Sequence, residues 1–227
     1  MRKTIAATRA LYGVAALSLA LAPSSAAGQE LADLDYEHLA FRGFGVDWGY
    51  LWPTRVEPTG SVGVRFDMGY AGPGLRIVPS IGYWSSPLKR GEIVELEDRI
   101  SALIADQTGG LPPALDLGRI DWRDISIGVD AHIVWDSLFD VLTYGGLGVT
   151  AHILDGDGDA IRGTFIDDLL DSVTAGFNLH LGMEYPLTNR MRIYSVGKYE
   201  VLGDFQYFTA RVGWQLMTGP NAPGEER

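Results

Sequence analysis

Three groups of side chains in this chain have the types and spacing to do chemistry. His132 and His180 have Asp130 and Glu184 near them in sequence, and imidazole beside carboxylate suits general acid–base work or metal ligation. Asp155-Gly-Asp-Gly-Asp159 sets carboxylates at alternate positions on a flexible backbone, the pattern a hard cation such as Ca²⁺ requires. A larger set of charges recurs at every second residue: Asp47, Arg65, Asp67, Arg76, Asp124, Asp130, Glu184, Arg192, Lys198, Glu200 and Arg211. Each has a plainer reading. The histidines lack a paired, exposed nucleophile. The aspartate motif departs from the EF-hand template, with Ala160 where glycine is needed and Ile166 in place of the closing glutamate, so a solvated acidic loop explains it equally. The alternating charges, five basic and six acidic, suit ion pairs that fill an interior better than a single-sign ring that selects ions.

The elements that carry these residues are strands. From Phe41 onward polarity alternates with period two, which gives a strand two unlike faces. Asp124 to Trp135 puts Ile125, Ile127, Val129, Ala131, Ile133 and Trp135 on one face and Asp130 and His132 on the other. Val173 to Tyr185 repeats the pattern with His180 and Glu184 on the polar face. Six further runs follow it: Gly43–Trp52, Ser61–Tyr70, Leu75–Trp84, Val141–Ile153, Met191–Val201 and Tyr207–Leu216. Tight turns at Ala71–Gly74, Asp136–Phe139 and Pro186–Arg190 alternate with longer links at Pro53–Gly60, Ser85–Trp122 and Leu154–Ser172. Centring the last tight turn on Thr188 sets Glu184 opposite Arg192 and Asn178 opposite Lys198. Pro79 interrupts a run, and a bulge is expected there because proline offers no N–H to a ladder.

The eight apolar faces hold no Asp, Glu, Lys or Arg; all eleven charges lie on the opposite faces. A lipid-facing Arg or Lys costs roughly 2–4 kcal/mol near the midplane, so a bilayer enforces such a clean face. Gly is twice as common as usual, at 29 of 227 residues, and crowds the polar face, where a narrow lumen needs small side chains beside long charged ones. Trp48, Tyr50, Trp52, Tyr70, Tyr83, Trp135, Tyr185, Tyr199 and Trp214 fall on the apolar face as interfacial girdles do. A soluble lipocalin-like barrel that binds a ligand inside is the alternative, with the faces reversed.

Residues 1–28 read as a cleaved secretory signal: Arg2 and Lys3, an apolar stretch from Leu11 to Ala22, then small residues to Gly28. Residues 29–40 lead into a barrel over 41–217, and 218–227 form a tail. With 18 basic against 29 acidic residues, the net charge of -11 argues against nucleic acid, and the absence of cysteine excludes disulfides and thiolate sites. In the second long link Ile93, Leu96, Ile100, Leu103 and Ile104 form a helical stripe ended by Gly109-Gly110. That helix is either a lid or partner surface, or one packed on the rim to bury its own stripe.

The chain resembles the small eight-stranded outer-membrane barrels, the OmpA/OmpX/OmpW-like group. The resemblance covers Phe41 to Met217 and rests on architecture and on the last strand, Tyr207–Met217, with Gly213 among alternating apolar residues. It departs in the tail Gly219–Arg227, since the family usually ends on an aromatic. The resemblance implies an all-β, eight-stranded antiparallel up-and-down transmembrane barrel with a helical insertion in the second long loop, placed in the outer membrane with both termini periplasmic. The expected role is structural or surface interaction over a packed, salt-bridged interior containing His132 and His180, as a monomer without enzyme activity or cofactor. Outer-membrane lipid is the expected partner, with divalent cations or lipopolysaccharide at the acidic link. The alternative is a narrow channel or lateral-exit transporter for small or apolar solutes.

Overall fold

The computed structural model describes residues 39–137 and 141–218, the side chains of 167–169 aside, all within a compact unit spanning Leu31–Arg227. The signal segment, most of the lead-in, the tail from 219 and part of the Asp136–Phe139 corner lie outside the described residues.

Among the described residues nine strands and two helices follow in order: β1 Gly43–Pro53, β2 Thr59–Asp67, β3 Tyr70–Gly72, β4 Leu75–Pro87, α1 Arg90–Thr108, β5 Asp121–Asp136, β6 Leu142–Asp157, α2 Phe165–Leu170, β7 Ser172–Thr188, β8 Met191–Leu202 and β9 Phe205–Met217. Each strand pairs antiparallel with its neighbours, β1 pairs with β9, and β4 pairs with both β2 and β3. The sheet therefore closes, with β2 and β3 as two halves of one stave, into an eight-stave barrel. Among the described residues no helix is long and apolar enough to cross a membrane. The strands do the crossing, because a closed barrel satisfies every backbone group without water.

The faces follow the sequence alternation. Outward side chains such as Trp48, Val62, Ile127, Leu147, Val149 and Leu179 are exposed and apolar, while Asp47, Arg65, Arg76, Asp130, Asn178 and Glu184 are buried inside. A soluble ligand-binding barrel has the reverse arrangement, so that alternative is set aside. β5, β6 and β7, at 16, 16 and 17 residues, exceed the 9–11 that a tilted membrane strand needs. Their excess carries Asp121, Arg123, Asp155 and Asp157 beyond the apolar belt at the end of the long links.

Two local features differ from the alternation. Five residues separate Arg65 from Tyr70, while only four separate their partners Ser80 and Arg76. The extra residue sits at the β2–β3 break, where Gly69 takes a left-handed φ of 72°. Ile77 exchanges backbone hydrogen bonds with Met68 and Gly69, so Pro79, two residues on, turns its nitrogen toward the same broken stave. Pro79 itself stays in register with Val129. The expected irregularity thus lies on the strand facing Pro79, where an N–H would have found no partner. One extra residue also reverses the face, so Tyr70 is buried inside and packs with Val134 and Tyr144 instead of joining the girdle.

The β7–β8 turn differs as well. The Thr188 hydroxyl accepts from the backbone N–H of Arg190 and of Met191, which tightens the turn around Asn189 and Arg190. A bulge between Pro186 and Thr188 completes it. The register is consequently Glu184 opposite Tyr194 and Asn178 opposite Glu200, not Arg192 and Lys198. Thr188→Val, which removes the hydroxyl at constant volume, is expected to cost about 1 kcal/mol. Urea titration of the folded barrel checks this; an unchanged midpoint would assign the turn to its backbone alone.

Candidate functional site: the barrel interior and its cap

Between the tight-turn end and the long-link end, the interior side chains form three tiers. The first is built on Glu184 of β7, which is fully buried. Arg65 from β2 reaches it at 2.7 Å, Arg76 from β4 at 2.6 Å, and Arg192 from β8 diagonally at 3.6 Å. Asp67 takes a second contact from Arg76 at 3.6 Å and accepts from the Gln215 amide at 3.1 Å. Arg65 also donates to the Tyr144 hydroxyl and lies over the Tyr194 ring, 3.2 Å from its centroid. His132 Nδ1 is 3.1 Å from Arg76 Nη2. Arginine only donates, so this nitrogen accepts and the imidazole is neutral with its proton on Nε2.

In the second tier Lys198 pairs with Asp130 at 2.8 Å, and the Asn178 amide donates to the same carboxylate at 2.9 Å. That fixes the Asn178 oxygen as acceptor for His180 Nδ1 at 2.8 Å. Asp47 accepts from the Tyr194 hydroxyl at 2.9 Å and meets Arg211 at 3.4 Å. Glycines make room for these groups: a side chain at Gly148 would collide with Asp130 and Asn178, and one at Gly182 with the Tyr144 ring. A cavity of about 30 Å³, bounded by Asp47, His132, His180 and Lys198 among others, is the space left here, enough for roughly one or two waters.

The third tier is centred on His152 of β6, which the sequence reading missed. Its Nδ1 lies 2.9 Å from Asp124 and its Nε2 3.1 Å from Glu200, and Tyr207 donates to the other oxygen of Glu200 at 2.8 Å. Both carboxylates accept, so both ring nitrogens donate and the ring is an imidazolium. His152 shares its strand parity with Gly146 and Gly148, and that parity was the available signal.

Above this tier the interior becomes apolar. Trp84, Trp122, Phe205 and Tyr207 stack edge to face and tilted, and Leu51, Val56, Ile120 and Ile161 close over them. Helix α1 lies on this cluster through buried Ile93 and Ile100, with Leu96 and Ile104 at its margin; Leu103 of the expected stripe faces solvent. Gly109 ends the helix in a left-handed conformation, as its position suggested. The cap is fastened to the β1–β2 link, where Arg55 pairs with Glu92 at 2.7 Å and the Lys89 ammonium donates to the carbonyls of Pro53 and Thr54. The helix is therefore packed at the rim, burying its own stripe.

Asp155, Asp157 and Asp159 do not converge. Arg123 meets Asp155 at 3.5 Å and Asp157 at 2.6 Å, while Arg162 meets Asp157 at 2.9 Å and Asp159 at 3.8 Å. Among the described residues no three carboxylate or histidine side chains are grouped to hold a metal ion.

No family model and no curated protein matches this chain. Solved structures do. Neisserial surface protein A aligns over 80% of this chain and 100% of its own, with a TM-score of 0.53 at 13% identity. The attachment invasion locus protein Ail of Yersinia pestis aligns over 80% of this chain and 100% of its own, at TM-score 0.47 and 8% identity. A major outer membrane protein of Thermus thermophilus aligns over 78% and 98%, at 0.47 and 11%. The first of these likenesses establishes the fold: the chain is an eight-stranded barrel of the small outer-membrane type.

Proposed function

We propose that this barrel is exported behind the leader of residues 1–28, sits in an outer membrane as a single copy, and acts as a sealed anchor that presents its capped end to partners outside. The observation that carries this reading is the filled interior. Three hydrogen-bonded tiers cross the barrel, the cavity beside His132 and His180 holds only about 30 Å³, and an apolar cluster under α1 covers the long-link end. Eight staves leave an interior just wide enough for side chains, so ions have no path through such a core. The same filling argues for a non-enzymatic role, because His132 Nδ1 is engaged by Arg76, both His152 ring nitrogens by carboxylates and His180 Nδ1 by Asn178.

The surface offered outside is acidic. Asp159 and Asp204 project into solvent, and the link from Leu154 to Asp171 holds six acids against one arginine. Divalent cations bridging this link to lipopolysaccharide are the partner chemistry that suits it. Planar-bilayer recording of the purified barrel tests the sealed reading: no steady unitary current is expected. A sustained ohmic current would replace it with the narrow-channel reading. Uptake of an apolar solute without such a current would favour lateral exit through the wall.

A further inference from the structure

The lipid-facing wall is not uniformly filled. On β8 the outward residue Ser195 stands between Met183 of β7 and Val212 of β9, its cross-strand partners. Its short side chain leaves a groove of about 390 Å³, walled by Trp48, Met183, Ile193, Val212 and Trp214 and almost wholly apolar. The groove opens on the apolar belt and runs toward the tight-turn end, where Tyr185 borders it. Beyond Tyr185 lies the Asn189–Arg190 turn. Arg190 is exposed; its backbone is held by Thr188 and Met217, and among the described residues no carboxylate lies within ion-pair distance of its guanidinium. Arg192, two residues further, is spent on Glu184 inside the barrel.

We propose that this groove and Arg190 together bind one anionic glycerophospholipid of the periplasmic leaflet, with an acyl chain over Ser195 and the headgroup phosphate on Arg190. Five residues of strand separate the two, or about 17 Å along the wall. That matches one leaflet, half of the roughly 30 Å hydrocarbon core. A phosphate held by an exposed guanidinium at the interface forms a charge-assisted, bidentate contact. The groove adds packing for an acyl chain along its apolar walls. The Arg190 end is the tight-turn end, from which β1 and β9 also leave the barrel, and this assigns the site to the periplasmic leaflet. The proposal does not depend on whether the interior conducts.

The test uses the full chain reconstituted in nanodiscs of equal phosphatidylglycerol and phosphatidylethanolamine, then released into mild detergent for native mass spectrometry. One retained phosphatidylglycerol per barrel is expected. Arg190→Glu, at an exposed turn, should lower retention about tenfold, the size of one lost charge-assisted contact, and Ser195→Phe, which fills the groove, should lower it as well. Each variant must keep the boiling-dependent gel shift of a folded barrel; if Ser195→Phe does not, Arg190→Glu alone decides. Equal retention by wild type and Arg190→Glu, or no retained lipid at all, would overturn the proposal. A dimer mass abolished by Ser195→Phe would also overturn it, by giving the groove to a second copy.

Discussion

Glu184→Gln is expected to destabilise the barrel by about 3–5 kcal/mol, the cost of breaking a buried ion pair by removing one partner. The carboxylate serves Arg65 and Arg76 at 2.7 and 2.6 Å and Arg192 at 3.6 Å, and it is the main counter-charge between the first two. Glutamine keeps the shape but leaves Arg76 with Asp67 at 3.6 Å and Arg65, likewise buried, with no ion-pair partner among the described residues. Their repulsion then acts in a medium that screens poorly. Urea titration in micelles, followed by the gel shift, should show the midpoint collapse. Combining Glu184→Gln with Arg76→Gln should recover part of the loss, because the pair is removed together. A midpoint within error of wild type would mean that the three arginines are hydrated, and the interior would have to be wetter than its packing implies.

The second large effect is expected at His152. Its imidazolium is the counter-charge set between Asp124 and Glu200, and all three are buried. His152→Leu fills the space yet removes the counter-charge of Asp124, one oxygen of which already has no partner, and of Glu200, which keeps only neutral donors such as Tyr207. A loss of about 3 kcal/mol or more follows. Adding Asp124→Asn and Glu200→Gln to His152→Leu should restore most of it, and the coupling across this cycle is the diagnostic quantity. Additive losses would show that the ring acts through packing against Tyr207 alone, which it meets edge-on.

Much of this architecture is legible in the sequence because a bilayer imposes a strict rule. Every second residue must be apolar, so charge on one face and its absence on the other mark inside and outside without any tertiary information. What escapes is whatever shifts parity or register by one or two residues. The extra residue before Tyr70 turns that ring inward, and the Thr188 hydroxyl moves the β7–β8 turn so that Glu184 meets arginines from β2 and β4 before its own hairpin neighbour. These partners are more than a hundred residues away in the chain, and alternation has no means of choosing among them. The stripe of α1 was visible, but not what it covers, because Val56, Ile120 and Ile161 come from three separate links and meet only once the barrel exists.

Strands β1 and β9 carry a consequence for assembly. They pair along eleven positions, and the Thr218 amide donates to the Arg42 carbonyl at 2.8 Å. This contact spans nearly the whole described chain, so the pairing with the greatest sequence separation is also the one that seals the seam. Until it forms, β1 and β9 each present a row of bare amides and carbonyls to hydrocarbon, where an unsatisfied group costs several kcal/mol. The hairpins can form early and locally, but none is a stable resting state in the bilayer. Closure of this seam therefore carries the largest loop-closure cost of any pairing in the barrel. A chain stalled before β9 emerges leaves one edge of β1 without its partner and cannot close.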